Sequence, residues 1–148
     1  MTRKILSITG TRADYGLMQP VYHAINECDD LELVLIVTGM HLLPEFESTL
    51  KLIKEDSYGK LFFSGITLAE DSGYAMAQSF GLAVINFASI IGNTKPDLIL
   101  LQGDRGEMLA GAIAGANMNI PLVHMSGGDY SGSIDDSIRN YKSIIEII

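Results

Sequence analysis

Residues Lys4-Ile5-Leu6-Ser7-Ile8-Thr9-Gly10-Thr11-Arg12-Ala13-Asp14 pass from a short apolar run through a glycine into a helix start, and this unit decides the fold. A strand covered on both faces reads as a nearly continuous apolar run, and Ile5, Leu6 and Ile8 supply one. The unit recurs down the chain. Strands are expected over residues 4–9, 33–38, 60–64, 98–102 and 122–125, with longer stretches of helical period between them. Strands alternating with helices give a parallel sheet with right-handed crossovers. The expected fold is therefore α/β, a Rossmann-like parallel sheet with helices on both faces.

The helical stripes are Leu17, Val21, Ala24 and Ile25, then Leu50 with Ile53, then Met76, Phe80, Val84 and Phe87, all expected as core faces. Pro20 fits a first helical turn, where its missing amide proton would lack a partner anyway, so the first helix is expected to open near Gly16. Lys95-Pro96-Asp97 should close the third helix. The fourth helix, Ala110-Gly111-Ala112-Ile113-Ala114-Gly115-Ala116, is nearly all small residues and can lie close to the sheet.

Each expected strand is followed by a glycine: Gly10, Gly39, Gly65, Gly103 and Gly127. Gly39 and Gly65 read as turn residues needing positive φ. Gly10, Gly103 and Gly127 sit among polar residues that favour close approach of a ligand. Such sheets bind ligands at the carboxyl ends of their strands, where the strand order reverses.

Bulk properties narrow the function. A chain of 148 residues suits one domain spanning 1–148. Its net charge of -8 and pI near 4.7 leave no basic face for nucleic acid. Cys28 is the sole cysteine, so no intrachain disulfide, zinc cluster or redox pair can form, and a cytoplasmic location is expected. The basic start runs into polar Thr9-Gly10-Thr11-Arg12, unlike a secretory signal. The apolar run 81–92 is broken by Asn86 and Ser89 and falls short of the ~20 residues that cross a bilayer, so no membrane partner is expected. A hydrophobic content of 47% and a mean hydropathy of +0.24 suit buried strands, and also a domain that hides one surface against another.

Three loops carry candidate chemistry. Gly10-Thr11-Arg12-Ala13-Asp14 opens a helix, where free amides favour an anion, and Arg12 adds a planar cation. Gly103-Asp104-Arg105-Gly106-Glu107 holds two acids and a base; Asp104 with Glu107 also has the spacing of a capping box, and spacing does not separate cap from catalyst. The loop His124 to Asp136 brings Asp129, Asp135 and Asp136 to the same edge, with Ser133 and Asp136 spaced as another helix start. His124 can be a core histidine or a site residue. No triad or metal-ligand spacing appears, since His23, His41 and His124 fall in separate segments, and no metal or cofactor is expected. These residues point to a phosphate-bearing ligand handled by carboxylates.

Thr9-Gly10-Thr11-Arg12-Ala13-Asp14-Tyr15-Gly16, Gly39-Met40-His41-Leu42, Gly103-Asp104-Arg105 and Ser131-Gly132-Ser133-Ile134-Asp135-Asp136-Ser137-Ile138-Arg139, in this order, resemble the hydrolysing UDP-N-acetylglucosamine 2-epimerases of sialic-acid and nonulosonate biosynthesis. The resemblance covers residues 4–139. It implies the amino-terminal half of a glycosyltransferase-B-like fold, whose cleft lies between two Rossmann-like domains, and a UDP-sugar as substrate. Proton removal at C2 with loss of UDP gives a 2-acetamidoglucal, and hydration gives N-acetylmannosamine. By the same resemblance Asp104 and Asp136 are catalytic acids or bases, and Arg12, Ala13, Arg105, His124 and Ser126 line the substrate.

Two departures stand out. Several relatives carry glutamate at the position of Ser126; Asp129 is the expected substitute, and a different sugar such as a diacetamido-trideoxyhexose is the alternative substrate. Relatives continue Ser-Ile-Arg-His-Ala-Ile-Thr-Lys, whereas residues 140–148 diverge, so a truncated or frame-shifted chain lacking the carboxyl-terminal nucleotide-binding domain, with little activity alone, is expected. A homo-oligomer is expected. The alternative of a non-catalytic self-associating module rests on the hidden face and the apolar tail Ile144-Ile145-Glu146-Ile147-Ile148.

Overall fold

In the computed structural model, which describes residues 1–66 and 72–126, β1 (Arg3–Thr9) is the middle strand of a parallel sheet. The order is β3-β2-β1-β4-β5, with β2 (Leu31–Thr38), β3 (Lys60–Ser64), β4 (Leu98–Gln102) and β5 (Leu122–Met125). The chain winds outward from β1 to β3, then returns to the other side of β1 to lay down β4 and β5. In register, Thr9 lies opposite Val37, Ser7 opposite Leu100, and Gln102 opposite Met125. The order therefore reverses between the carboxyl ends of β1 and β4, at Gly10 and Gly103.

Both faces of the sheet are covered, which is why its central strands are mostly apolar and their buried Ser7, Thr9 and Thr38 are hydrogen-bonded. In β2 the side chains alternate: Leu33, Leu35 and Val37 pack with Tyr15, Met18, Tyr22 and Ile25 of α1 (Arg12–Asn26) and Ile53 of α2 (Glu47–Asp56). Val34 and Ile36 join Leu6, Ile8, Ile99 and Leu101 on the opposite face, under α3 (Gly73–Thr94) and α4 (Gly106–Asn117). The small residues of α4 do let it lie close: a Cβ on Gly111 would stand 2.2 Å from Ile8 Cδ1, and one on Gly115 would stand 2.6 Å from Ile99 Cδ1.

Several expectations are corrected. The first helix opens at Arg12 rather than near Gly16, because Thr11 and Asp14 close a capping box there. Pro20 then lies inside α1, forgoing the bond to the Gly16 carbonyl, and its ring sits on the exposed side. The buried face of α1 is Tyr15, Met18, Tyr22 and Ile25, while Leu17 and Ala24 are exposed. The tyrosines belong to the core because their hydroxyls have partners: Tyr15 donates to Asp56 Oδ2 at 2.6 Å, and Tyr22 shares a 3.1 Å bond with Ser7 Oγ.

The face of α3 is likewise turned, with Ala75, Ala83, Phe87 and Ile91 inward and Met76 exposed. At 22 residues α3 also exceeds the apolar run 81–92, and by length and composition it is long enough to cross a bilayer. Here its alanine face lies against the sheet and α4. Finally, Gly65 has no positive φ, whereas Gly39 (φ 57°) and Gly103 (φ 78°) do.

Candidate functional site at the carboxyl ends of β1 and β4

The β1–α1 loop is built around Asp14. Its Oδ2 accepts from the Gly10 amide at 3.2 Å, the Thr11 amide at 2.8 Å and the Thr11 hydroxyl at 2.8 Å. Thr9 Oγ1 donates to Oδ1 of the same carboxylate. Asp14 thus takes the amides that precede the helix, leaving those of Arg12 and Ala13, the first two helical residues, as the loop's remaining donors. The anion-binding capacity of the loop narrows to these two positions and the Arg12 guanidinium.

Behind this loop stands His41, from a 3-10 turn over Gly39–Leu42, with 1% of its surface exposed. Its Nε2 lies 2.9 Å from Thr9 Oγ1. Because the Thr9 proton goes to Asp14, the His41 Nε2–H donates to Thr9, giving a chain from imidazole through hydroxyl to carboxylate. Burial pushes the His41 pKa down; the Asp14 and Glu107 carboxylates oppose that shift.

On β4 the positive φ of Gly103 turns the chain so that α4 starts at Gly106, with Arg105 as the cap residue and no side-chain cap bond. The capping-box reading of Asp104 and Glu107 is therefore not what forms. Glu107 turns instead toward β1 and β2, and Arg105 meets it through Nε to Oε2 and Nη2 to Oε1, both 3.3 Å. Asp104 joins Thr11, Arg12, Ala13, His41 and Arg105 around a cavity of about 510 Å³.

His124 and Ser126 stand behind the turn. Half-buried His124 donates from Nε2 to the Gly103 carbonyl at 2.6 Å, so it is tied to the turn. Ser126, at φ 60°, receives the Gln102 side-chain amide on Oγ at 3.0 Å. Asp129 and Asp136, with Gly127 and the tail 140–148, lie outside the described residues. Arg12, Ala13, Asp104 and Arg105 are thus brought to one cavity, whereas His124 and Ser126 do not line it, and His124 braces the turn that carries Asp104.

His41 and the inward turn of Glu107 were not singled out as site features from sequence. The available signal was the run Gly39-Met40-His41-Leu42 beside a strand end, but nothing local ties residue 41 to residue 9, or residue 107 to residue 10.

A doubly wound parallel sheet with a cation-lined cavity at its reversal point defines a Rossmann-like domain. The chain belongs to the UDP-N-acetylglucosamine 2-epimerase family, whose model matches residues 23–145. It is 42% identical over 140 residues to a UDP-N,N'-diacetylbacillosamine 2-epimerase (hydrolyzing) of Legionella pneumophila, covering 95% of this chain and 37% of that protein. A UDP-N-acetylglucosamine 2-epimerase of Neisseria meningitidis is 37% identical over 138 residues, covering 93% and 36%. The chain spans a little over a third of these curated relatives. Among solved structures, a Listeria monocytogenes protein described as a UDP-N-acetylglucosamine 2-epimerase superposes with a TM-score of 0.82 at 20% identity, over 100% of this chain and 38% of that one. The fold is accordingly the amino-terminal half of the glycosyltransferase-B-like arrangement.

Proposed function

We propose that this chain forms one wall of a hydrolysing UDP-N-acetylhexosamine 2-epimerase, and that the cavity at β1 and β4 faces the substrate's diphosphate and C2. The observation that carries the reading is the convergence of Arg12, Asp104 and Arg105 on that cavity, in a chain of this family. In the first step a base removes the C2 proton, the C–H electron pair becomes the C1=C2 double bond, and the C1–O bond to UDP breaks. Arg12, Arg105 and the Arg12 and Ala13 amides offset the charge gathering on the departing diphosphate. In the second step water adds its hydroxyl to C1 and a proton returns to the opposite face of C2, giving the epimer. Asp104 is assigned an acid/base role, with Asp136 and Asp129 as its partners, and His124 and Ser126 as supports behind the turn. Neither step needs a metal or a redox cofactor.

The substrate sugar is N-acetylglucosamine in the leading reading. A diacetamido-trideoxyhexose is the second, favoured by the activity for which the 42% identical Legionella relative is named. A second domain, beyond the part of the relatives that these residues span, is assigned the uridine grip, so residues 1–148 by themselves should turn over little. A cytoplasmic location and a homo-oligomer belong to the same proposal; the exposed Tyr74, Met76 and Ile85 on α3 support self-association, and a monomer on a sizing column would argue against it.

Incubation with each UDP-sugar, with free UDP measured, tests the reading. Slow UDP release lost in Asp104→Asn supports it; release unaffected by that change refutes the assignment of Asp104.

A further inference from the structure

Glu107 makes contacts that the proposed chemistry does not use. It lies in the first turn of α4, yet its side chain is only 11% exposed and crosses to the ends of β1 and β2. Its Oε1 occupies the space a Cβ would need: such an atom on Gly10 would stand 3.1 Å away, and one on Gly39 2.7 Å away. Gly10 and Gly39 therefore form a slot fitted to this carboxylate, closed by the 2.8 Å bond from the Met40 amide to the Gly10 carbonyl. From the slot Glu107 holds Arg105 through two contacts of 3.3 Å. Three loops from three strands meet on one side chain.

Arg105 lines two cavities. One is the cavity of Arg12 and Asp104; the other, about 250 Å³, has Ile66, Ala75, Phe80 and Glu107 itself in its wall. The direction of the guanidinium decides which of them receives its charge. A carboxylate beside an anion site would by charge alone weaken anion binding. The pair is also too exposed, at 47% for the Arg105 side chain, to count as a stabilising ion pair. An apolar side chain would fill the slot at less desolvation cost.

We infer that Glu107 is a positioning residue: seated in the Gly10–Gly39 slot, it fixes the Arg105 guanidinium at the wall between the two cavities, one of which is shared with Arg12 and Asp104. The ligand arm of its test rests on the proposed function, and the other arm does not.

Glu107→Gln keeps the shape in the slot and removes the charge, and a melting curve checks that it folds. In the ligand-free ¹⁵N-labelled chain, the Arg105 Nε–Hε signal, assigned by its loss in Arg105→Lys, should exchange with water roughly tenfold faster in Glu107→Gln, as expected when a local hydrogen bond opens freely. Glu107→Asp, too short to span slot and guanidinium together, should show the same loss. Titration with UDP should be weaker in Glu107→Gln by on the order of fivefold, although the site has become more positive, because orientation outweighs the added charge. Unchanged Arg105 exchange overturns the inference whatever UDP does. Equal or tighter UDP binding by Glu107→Gln overturns it too, because charge alone then explains the residue. A wild-type chain that ignores UDP counts against the proposed function, and the exchange result alone then decides for or against Glu107.

Discussion

The imidazole Nε2 of His124 lies 2.6 Å from the carbonyl oxygen of Gly103, binding the end of β5 to the one residue of the β4–α4 turn with positive φ. A carbonyl only accepts, so Nε2 carries the proton, and the ring acts as a brace for the turn that presents Asp104. Replacing His124 with Phe keeps the bulk and removes the donor. A loss of about 1 kcal/mol in urea unfolding is expected, the ordinary contribution of such a bond. Nitrogen chemical shifts of the wild-type ring should report the Nε2–H tautomer.

His41 makes stability depend on pH. Burial holds its pKa below the usual 6.5, so between the folded value and 6.5 the unfolded chain binds a proton that the folded chain does not. Stability should rise with pH across that window and be lost as pH falls through 6.5. Above pH 7 this group should contribute no slope. Urea midpoints measured from pH 5.5 to 7.5 in wild type and His41→Gln check the point, with the slope smaller in the variant.

Tyr15 acts at the other end of the scale. Burial first, then its bond to Asp56, push the phenol's pKa well above 10, so the folded chain keeps a proton that the unfolded chain loses. Its contribution should be complete below pH 10 and decline as pH rises beyond it. Tyr22, raised by burial, adds to the decline. Tyr15→Phe should show a shallower loss of melting temperature between pH 9 and 11.

The three βα glycines differ in what they tolerate. Gly39→Ala combines φ 57° with a Cβ 2.7 Å from Glu107 Oε1, and should cost roughly 1–3 kcal/mol. Gly10→Ala, without the positive φ and with 3.1 Å to the same atom, should cost less. At Gly65 a Cβ meets nothing within 4 Å, so alanine should be neutral or stabilise by up to ~1 kcal/mol through the unfolded chain. Melting temperatures of the three variants should fall in that order.

How much could be read beforehand follows from which interactions are local. Residues 60–64, 98–102 and 122–125 form strands with the bounds their apolar runs suggest, and β1 and β2 start only one and two residues earlier. That Arg12, Asp104 and Arg105 would meet at one cavity was legible because loops at the carboxyl ends of parallel strands converge whatever their sequence separation. The face of α1 was not, because Tyr15 and Tyr22 look amphipathic until Asp56 and Ser7 are seen to satisfy them. The Asp104–Glu107 spacing matched a cap, but the left-handed Gly103 moved the helix start, and Glu107 instead pairs with Arg105 while packing against Gly10 and Gly39 just beyond β1 and β2. The Thr9–Asp14–His41 chain crosses 32 residues and leaves no periodic signal.

The proposed role of the cavity between β1 and β4 is to take the diphosphate of a UDP-sugar. Backbone amide shifts of the ¹⁵N-labelled chain during titration with UDP test it most directly. Weak saturable binding is expected, with a Kd on the order of 1 mM, with the largest shifts at Arg12, Ala13, Asp104 and Arg105, and with their loss in Arg12→Ala. Shifts centred on the exposed face of α3, or saturable binding unchanged by Arg12→Ala, would overturn it.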